Sequence, residues 1–404
     1  MKKLLTASAI SLALSSGAFA TEVSTKLQGR FLFEGAGLSQ KHIKGADRNL
    51  SANKKDFTTY TNAFVGARIE AEKEDLKYGA QIALNASTRG TGSPSYDRSH
   101  IFMETDMGKL ELGSNFDAAT NMRVDALSYA RATGDDAENY AFLTVRHAGK
   151  DITSVPMFPG NYLSTDSKSL ETARKITYYS PDMSGFRFGI SYVPDATNFG
   201  SSTVRDTEED KKMQKSFTYG DNTFTDTYAM KDVTSAALTF EHHINDMTSF
   251  KLGVSGECGK AAKKGFKGDD PDAATYKMPN LKAYDIGGAI THGAYTFVAS
   301  YADHGKNGSV EVFGKNREKK LYTAGAVYSQ GPVAASVSYY KSEVQGSKMN
   351  SVVLGTDYKL APGLMPFAEV TFFDGRGKLP ALYEDTKKQK FKGTAFVLGA
   401  KLAF

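Results

Sequence analysis

The chain has 404 residues, 24% of them charged, and a formal net charge of +5. That balance excludes the dense basic face of a nucleic-acid binder. A single cysteine, Cys258, excludes an intramolecular disulfide framework, and no run of 18 or more apolar residues marks a membrane-spanning helix.

Lys2 and Lys3 open the chain, Leu4 to Leu14 are mostly small and apolar, and Ala18-Phe19-Ala20 is a small-x-small site. This pattern reads as a secretory signal peptide over residues 1–20, leaving one domain over 21–404. Removal of the peptide leaves 384 of the 404 residues and, with Lys2 and Lys3 gone, a net charge of +3.

Period-two alternation then recurs along the chain. A first strand lies near Val23 to Phe33, with Lys26, Gln28 and Arg30 on one face and Leu27, Phe31 and Phe33 on the other. A second, near Tyr60 to Ala71, sets Val65, Ala67 and Ile69 outward and Asn62, Arg68 and Glu70 inward. Strands near Tyr78 to Thr88, Ser99 to Thr105 and from Leu110 follow. Ile176 to Tyr179 and Phe186 to Tyr192 flank the turn Pro181 to Gly185. Further strands lie near Val233 to Ile244, Phe250 to Gly256, Leu281 to Ile290, Tyr295 to Ala302, Leu321 to Tyr328, Val333 to Ser342, Ser351 to Leu360, Phe367 to Phe373 and Thr394 to Phe404. Short turns alternate with long polar loops near 115–172, 194–231, 258–280, 303–318, 342–349 and 374–392.

The total is sixteen strands, each near the ~9–11 residues that a tilted membrane strand needs. Lipid cannot satisfy backbone amides, so the sheet must close on itself. The fold class is all-β, a 16-stranded antiparallel transmembrane β-barrel, and at ~16 strands side chains no longer fill the interior. An aqueous channel follows.

Catalytic readings find little support. His242 and His243 beside Glu241 form the densest group, but successive strand residues point to opposite faces, so the two imidazoles cannot share a metal from that strand. No dinucleotide or phosphate-loop motif follows a strand. No enzyme activity, cofactor or metal is expected.

Ile176-Thr177-Tyr178-Tyr179-Ser180-Pro181 through Tyr192 is similar to a hairpin of the general, non-specific trimeric porins of Gram-negative bacterial outer membranes. Tyr322 to Tyr328 with Gly331-Pro332, Leu354 to Gly363, and the final strand ending at Phe404 resemble that family too. The resemblance implies passive diffusion of ions and small hydrophilic solutes through a homotrimer in the cell outer membrane. Outer-membrane lipid and lipopolysaccharide would surround it. It also implies that Phe404 is an assembly signal read by the barrel assembly machinery. Its third loop, after strand 5, folds inward and narrows the pore. Here that loop carries Asp117, Arg123, Asp125, Asp135, Asp136 and Glu138, and Val124 to Ala132 has room for one or two helical turns. A basic wall of Lys26, Arg30, Arg68 and Arg89 would face it, setting a field across the gap. Two alternatives stand beside this reading: a solute-selective channel, for sugars for example, and an adhesive or receptor barrel. The charged runs 205–212 and 268–272 read as solvated loop, with cation bridging to anionic lipid as the functional alternative.

Overall fold

The computed structural model describes residues 22–40, 57–85, 95–133, 145–147, 150–152, 173–196, 215–219, 222–226, 230–261, 265–267, 275–276, 279–306, 318–344, 347–377 and 389–404. Sixteen strands in this set close into one antiparallel barrel in which each pairs with its sequence neighbour. They are β1 (Glu22–Gln40), β2 (Phe57–Lys73), β3 (Leu76–Asn85), β4 (Ser95–Thr105), β5 (Gly108–Ser114), β6 (Arg174–Tyr179), β7 (Phe186–Asp195) and β8 (Met230–Asn245). The second half comprises β9 (Thr248–Ala261), β10 (Leu281–His292), β11 (Tyr295–Gly305), β12 (Lys319–Gln330), β13 (Val333–Val344), β14 (Ser347–Tyr358), β15 (Leu364–Gly377) and β16 (Gln389–Ala403). β16 returns to pair with β1, from Arg30↔Ala403 to Gln40↔Gly393, and leaves no open edge.

Alternation decides which face is which, and it is inverted relative to a water-soluble protein. Leu27, Ile69, Ile101, Leu252 and Ile286 are exposed, while Glu70, His100, Ser255 and Asp285 are buried. An apolar surface continued around a whole barrel far exceeds what a soluble monomer exposes, so this surface is built for hydrocarbon. Aromatic side chains band it at both ends. Phe186 stacks on Phe240 at 4.3 Å and Tyr295 lies 5.2 Å from Tyr328 at the short-turn end; Tyr284, Tyr301 and Tyr322 neighbour one another at the long-loop end. Two such girdles are the signature of a barrel spanning a bilayer.

The short turns have local causes. At the β6–β7 connection, Ser184 and Gly185 both take positive φ (56° and 93°), and Met183 and Phe186 exchange backbone hydrogen bonds. Two consecutive left-handed residues match the strand twist, and glycine adopts that conformation without a steric cost. Asp182 accepts from the Gly185 N–H at 2.9 Å and pairs with Arg187 at 3.2 Å.

The strands run longer than periodicity indicates. β1 has 19 residues and continues through Gln40, and the expected loop 342–349 is almost wholly strand, with Val344 paired to Ser347. Beyond the apolar band, backbone pairing continues without any need for outward hydrophobic residues, so alternation fades before the strand ends. The long connections also hold small sheets. Residues 145–147 pair with 150–152, and 215–219, 222–226, 265–267 and 275–276 form a four-stranded sheet.

Candidate functional site: the channel lining

One side of the barrel interior is densely charged, with Glu34, Glu70, Glu72, Glu104 and Glu111 interleaved among cations. Inward positions of β1–β5 carry Lys26, Arg30, Arg68, Lys77, Arg98 and Lys109. Glu70 collects three of these cations: Arg68 at 2.6 Å, Lys77 at 3.0 Å and Lys26 at 3.5 Å. Three cations share this one carboxylate, while Glu72 and Glu104 are the register neighbours of Lys77 and Glu111 pairs with Lys109. The guanidinium of Arg68 lies 4.0 Å from the Phe102 ring centre, and that of Arg98 lies 4.1 Å from Phe116. Stacking on rings holds each arginine flat to the wall, and Arg68 keeps its ion pair with Glu70 in that pose. Gln81 donates to Gln28 at 3.0 Å and extends the polar lining.

Across the lumen, residues 115–133 lie along the inner wall. Two short helices, α1 (Ala118–Met122) and α2 (Ala126–Tyr129), begin at Asp117 and Asp125. Asp117 accepts from Thr120 N at 3.0 Å and from Ser235 Oγ at 2.7 Å; Asp125 accepts from Ser128 N at 2.8 Å and pairs with Arg123. These side chains satisfy amides that helix starts leave unpaired.

Further bonds tie the segment to the wall strand by strand. Lys175 of β6 donates to the Asn115 carbonyl. Ala118 N donates to Ser191 Oγ (2.8 Å, β7), Ala119 N to Ser235 Oγ (2.9 Å, β8) and Ala126 N to Thr323 Oγ1 (3.0 Å, β12). Arg131 N donates to Ser336 Oγ (2.9 Å, β13), Ala132 N to Asp357 Oδ1 (2.7 Å, β14) and Thr133 Oγ1 to Glu369 Oε2 (2.6 Å, β15). Lys401 of β16 donates to the Ala132 carbonyl. The wall is flattened where the segment crosses it. A Cβ at Gly253 would sit 2.8 Å from Val124 Cγ2, one at Gly355 would sit 2.6 Å from the Arg131 carbonyl oxygen, and one at Gly287 would run into the Val124 carbonyl. The segment's own residues are small, and Ala118, Ala119, Val124 and Ala126 are fully buried against the wall.

The carboxylates expected on the loop therefore divide. Asp117 and Asp125 are 3% and 2% exposed; they cap helices and hold the segment rather than face open water. Each lies one residue before a short helical turn, and that position outweighs its charge. Arg123 is partly buried beside Asp125. Asp135, Asp136, Glu138 and Arg89 lie outside the described residues. Arg30 faces inward, in register between Phe64 of β2 and Ala403 of β16, and Arg68 is central to the basic patch. Lys26 is the most exposed member, at 61% of its side chain. Phe404 exchanges two backbone hydrogen bonds with Gly29 (2.8 and 3.0 Å) and stacks on Phe31 at 6.0 Å.

Sequence reasoning missed Arg98, Lys109, Asp357 and Glu369. Arg98 precedes the expected start of its strand by one residue, and a register shift between Ala83 and Leu84 breaks the parity there. Its shared face with Phe102 was the available signal. Asp357 and Glu369 matter through partners more than 200 residues away, which alternation cannot reveal.

Relatives and solved structures agree with this geometry. The chain matches the Gram-negative porin family over residues 6–378. It is 34% identical to uncharacterised proteins of Rickettsia bellii and Rickettsia conorii, with both chains fully covered in each case. Its fold is similar to a mutant porin of Rh. blastica (TM-score 0.56, 12% identity, 94% of this chain and 100% of that one). It is also similar to an anion-selective porin of Comamonas acidovorans (TM-score 0.55, 13% identity, 95% and 100%). With a closed barrel, a polar interior and a family match over most of its length, the chain belongs to the Gram-negative porins.

Proposed function

We propose that the chain forms a water-filled outer-membrane channel for passive, non-enzymatic diffusion of ions and small hydrophilic solutes. The observation that carries this reading is the closed barrel whose inward face is charged on one side and lined by a hydrogen-bonded polypeptide segment on the other. The narrowest zone lies between Arg30, Arg68 and Arg98 and that segment, with Arg89, Asp135, Asp136 and Glu138 added on sequence grounds. The carboxylates nearest the segment are occupied by its amides, whereas opposite them Arg68, Lys77 and Lys26 share the carboxylate of Glu70 and the guanidinium of Arg98 lies on Phe116. The lumen therefore favours anions.

The signal peptide over 1–20, assembly through Phe404 and a homotrimer complete the reading. The trimer is supported by the outward face of β1–β5, which carries Leu27, Phe33, Val65 and Ile101 and, among described positions, no lysine or arginine except Lys73. A continuous apolar face without an interfacial cation row suits a second copy. Planar-bilayer reversal potentials in a salt gradient, with swelling of liposomes in sugars of graded size, test the function. Size-graded entry with an anion-side reversal potential is expected; entry of one sugar with saturation, or none at all, would refute it.

A further inference from the structure

Two inward rows of β2–β5 meet around a glycine. In one, Glu70, Gly79, Phe102 and Glu111 are successive register neighbours; in the other, Arg68, Gln81, His100 and Gly113 are. Gly79 leaves a place in this patch without a side chain. The tip of the Phe102 ring fills it, since a Cβ on Gly79 would sit 2.8 Å from Phe102 Cζ. Arg68 reaches across from the neighbouring row, and its guanidinium carbon lies 4.0 Å from the ring centre.

An inward phenylalanine is out of place on a wall that faces water, and this one is only 1% exposed. Its cover is cationic: Arg68 and, at 5.7 Å, Lys109. The guanidinium is also pinned at its edges. Arg68 Nε donates to Glu70 Oε1 at 2.6 Å and Nη1 to Gln81 Oε1 at 3.5 Å. One face on a ring and two bonded edges fix the plane of the guanidinium. Among the described residues Phe102 is the one ring that Arg68 meets, so the opposite face of this plate carries no ring. Lys26 stands beside it as the register neighbour of Arg68 on β1, with 61% of its side chain exposed and its Nζ 3.5 Å from Glu70.

A guanidinium stacks flat π systems on its face, whereas an ammonium acts as a compact point charge that is indifferent to shape. A fixed plate with an ammonium beside it therefore matches a solute that is both flat and anionic. We propose that Arg68, backed by Phe102, is a stacking plate for planar aromatic carboxylates in transit. The solute ring lies on the open face of the guanidinium, and its carboxylate turns to Lys26. Glu70, shared by Arg68, Lys77 and Lys26, keeps the plate from holding an anion tightly, so solutes pause there and leave. The proposal rests on the channel reading above and names a solute class for it.

The test uses the full protein in planar phosphatidylcholine bilayers, with sodium benzoate and sodium cyclohexanecarboxylate as probes. At neutral pH both are monoanions of similar size, and only the benzoate ring is flat. Chloride current is recorded as either probe is added, and the concentration that halves it is read. In the wild type benzoate should act at a concentration lower by about 2–5-fold, the gain from one exposed cation–π contact. Arg68→Lys keeps the charge but loses the plane, and should bring the ratio of the two midpoints to about one. Phe102→Leu removes the backing ring and should lower the ratio too. Heat-dependent gel mobility identifies variants that have assembled. Equal midpoints in the wild type overturn the proposal, and so does a preference for cyclohexanecarboxylate, which would show apolar adhesion instead. A wild-type ratio in either assembled variant overturns it as well. Any of these results with chloride current intact leaves the channel reading standing, whereas a wild type that passes no current would overturn both.

Discussion

Gly355 offers a direct test of whether the wall sets the position of the inner segment. Its missing Cβ would sit 2.6 Å from the Arg131 carbonyl oxygen and 3.3 Å from Ala132 Cβ. Ordinary contact needs about 3.5 Å, so Gly355→Ala must push the segment inward by about 1 Å. Two amide bonds lie at that point: Arg131 N to Ser336 Oγ at 2.9 Å and Ala132 N to Asp357 Oδ1 at 2.7 Å. A shift of about 1 Å takes both beyond hydrogen-bond length. The neutral bond contributes about 1 kcal/mol and the charged one about 1.5–3 kcal/mol, so the segment loses roughly 2–4 kcal/mol of local anchoring. The barrel ladder is untouched, so the variant should still show the heat-dependent gel mobility of the wild type. Single-channel recordings should show altered conductance and added current noise, and limited proteolysis should cut the segment sooner. Gly288→Ala adds the same methyl to the outward face of β10 and meets only the flexible tip of Leu252 at 3.0 Å, so it should behave as wild type. If Gly355→Ala matches Gly288→Ala in conductance and protease resistance, the wall does not hold the segment in place.

Arg68→Ala and Arg98→Ala should each move the reversal potential toward cations, and together move it further; an unmoved value would take both out of the narrow zone. Asp125→Ala removes a helix cap and the partner of Arg123 and should loosen the segment by ~1–2 kcal/mol, read as earlier proteolysis with the barrel intact. Phe404→Ala should reduce the yield of assembled protein through loss of the Phe31 stack, and full assembly would refute that role. The Gly185 amide, with Arg187, holds the Asp182 carboxyl below its ordinary value of 3.8. Its contribution to the turn is present above the unfolded-state value and is lost as pH falls through the lower folded-state one. An NMR titration midpoint for Asp182 at or above the ordinary value would contradict this.

All sixteen strands were readable from alternation, because a sheet with lipid outside and water inside imposes period two on each crossing. The turn residues Ser184-Gly185 and Gly331-Pro332 fixed which connections were short. Strand ends were not readable: past Phe33, β1 continues as Glu34-Gly35-Ala36-Gly37, where lipid no longer dictates the outward residue. The inward parity of Arg30 and Arg68 was legible because it follows from the same alternation. The roles of Asp117 and Asp125 were not, because a carboxylate that caps a helix and one that faces solvent carry the same letter. Their functions are set by Thr120, Ser128 and Ser235, and the last of these is 118 positions away.

The inner segment also orders events in time. Its hydrogen-bond anchors come from β6–β8 and β12–β16, and the Thr133–Glu369 and Ala132–Lys401 bonds span 236 and 269 positions of sequence. Contacts so distant along the chain form late. On the proposed channel reading, the bore is thus set only when the last strands arrive, and a half-built ring holds a loose tether where the finished one holds a fixed aperture.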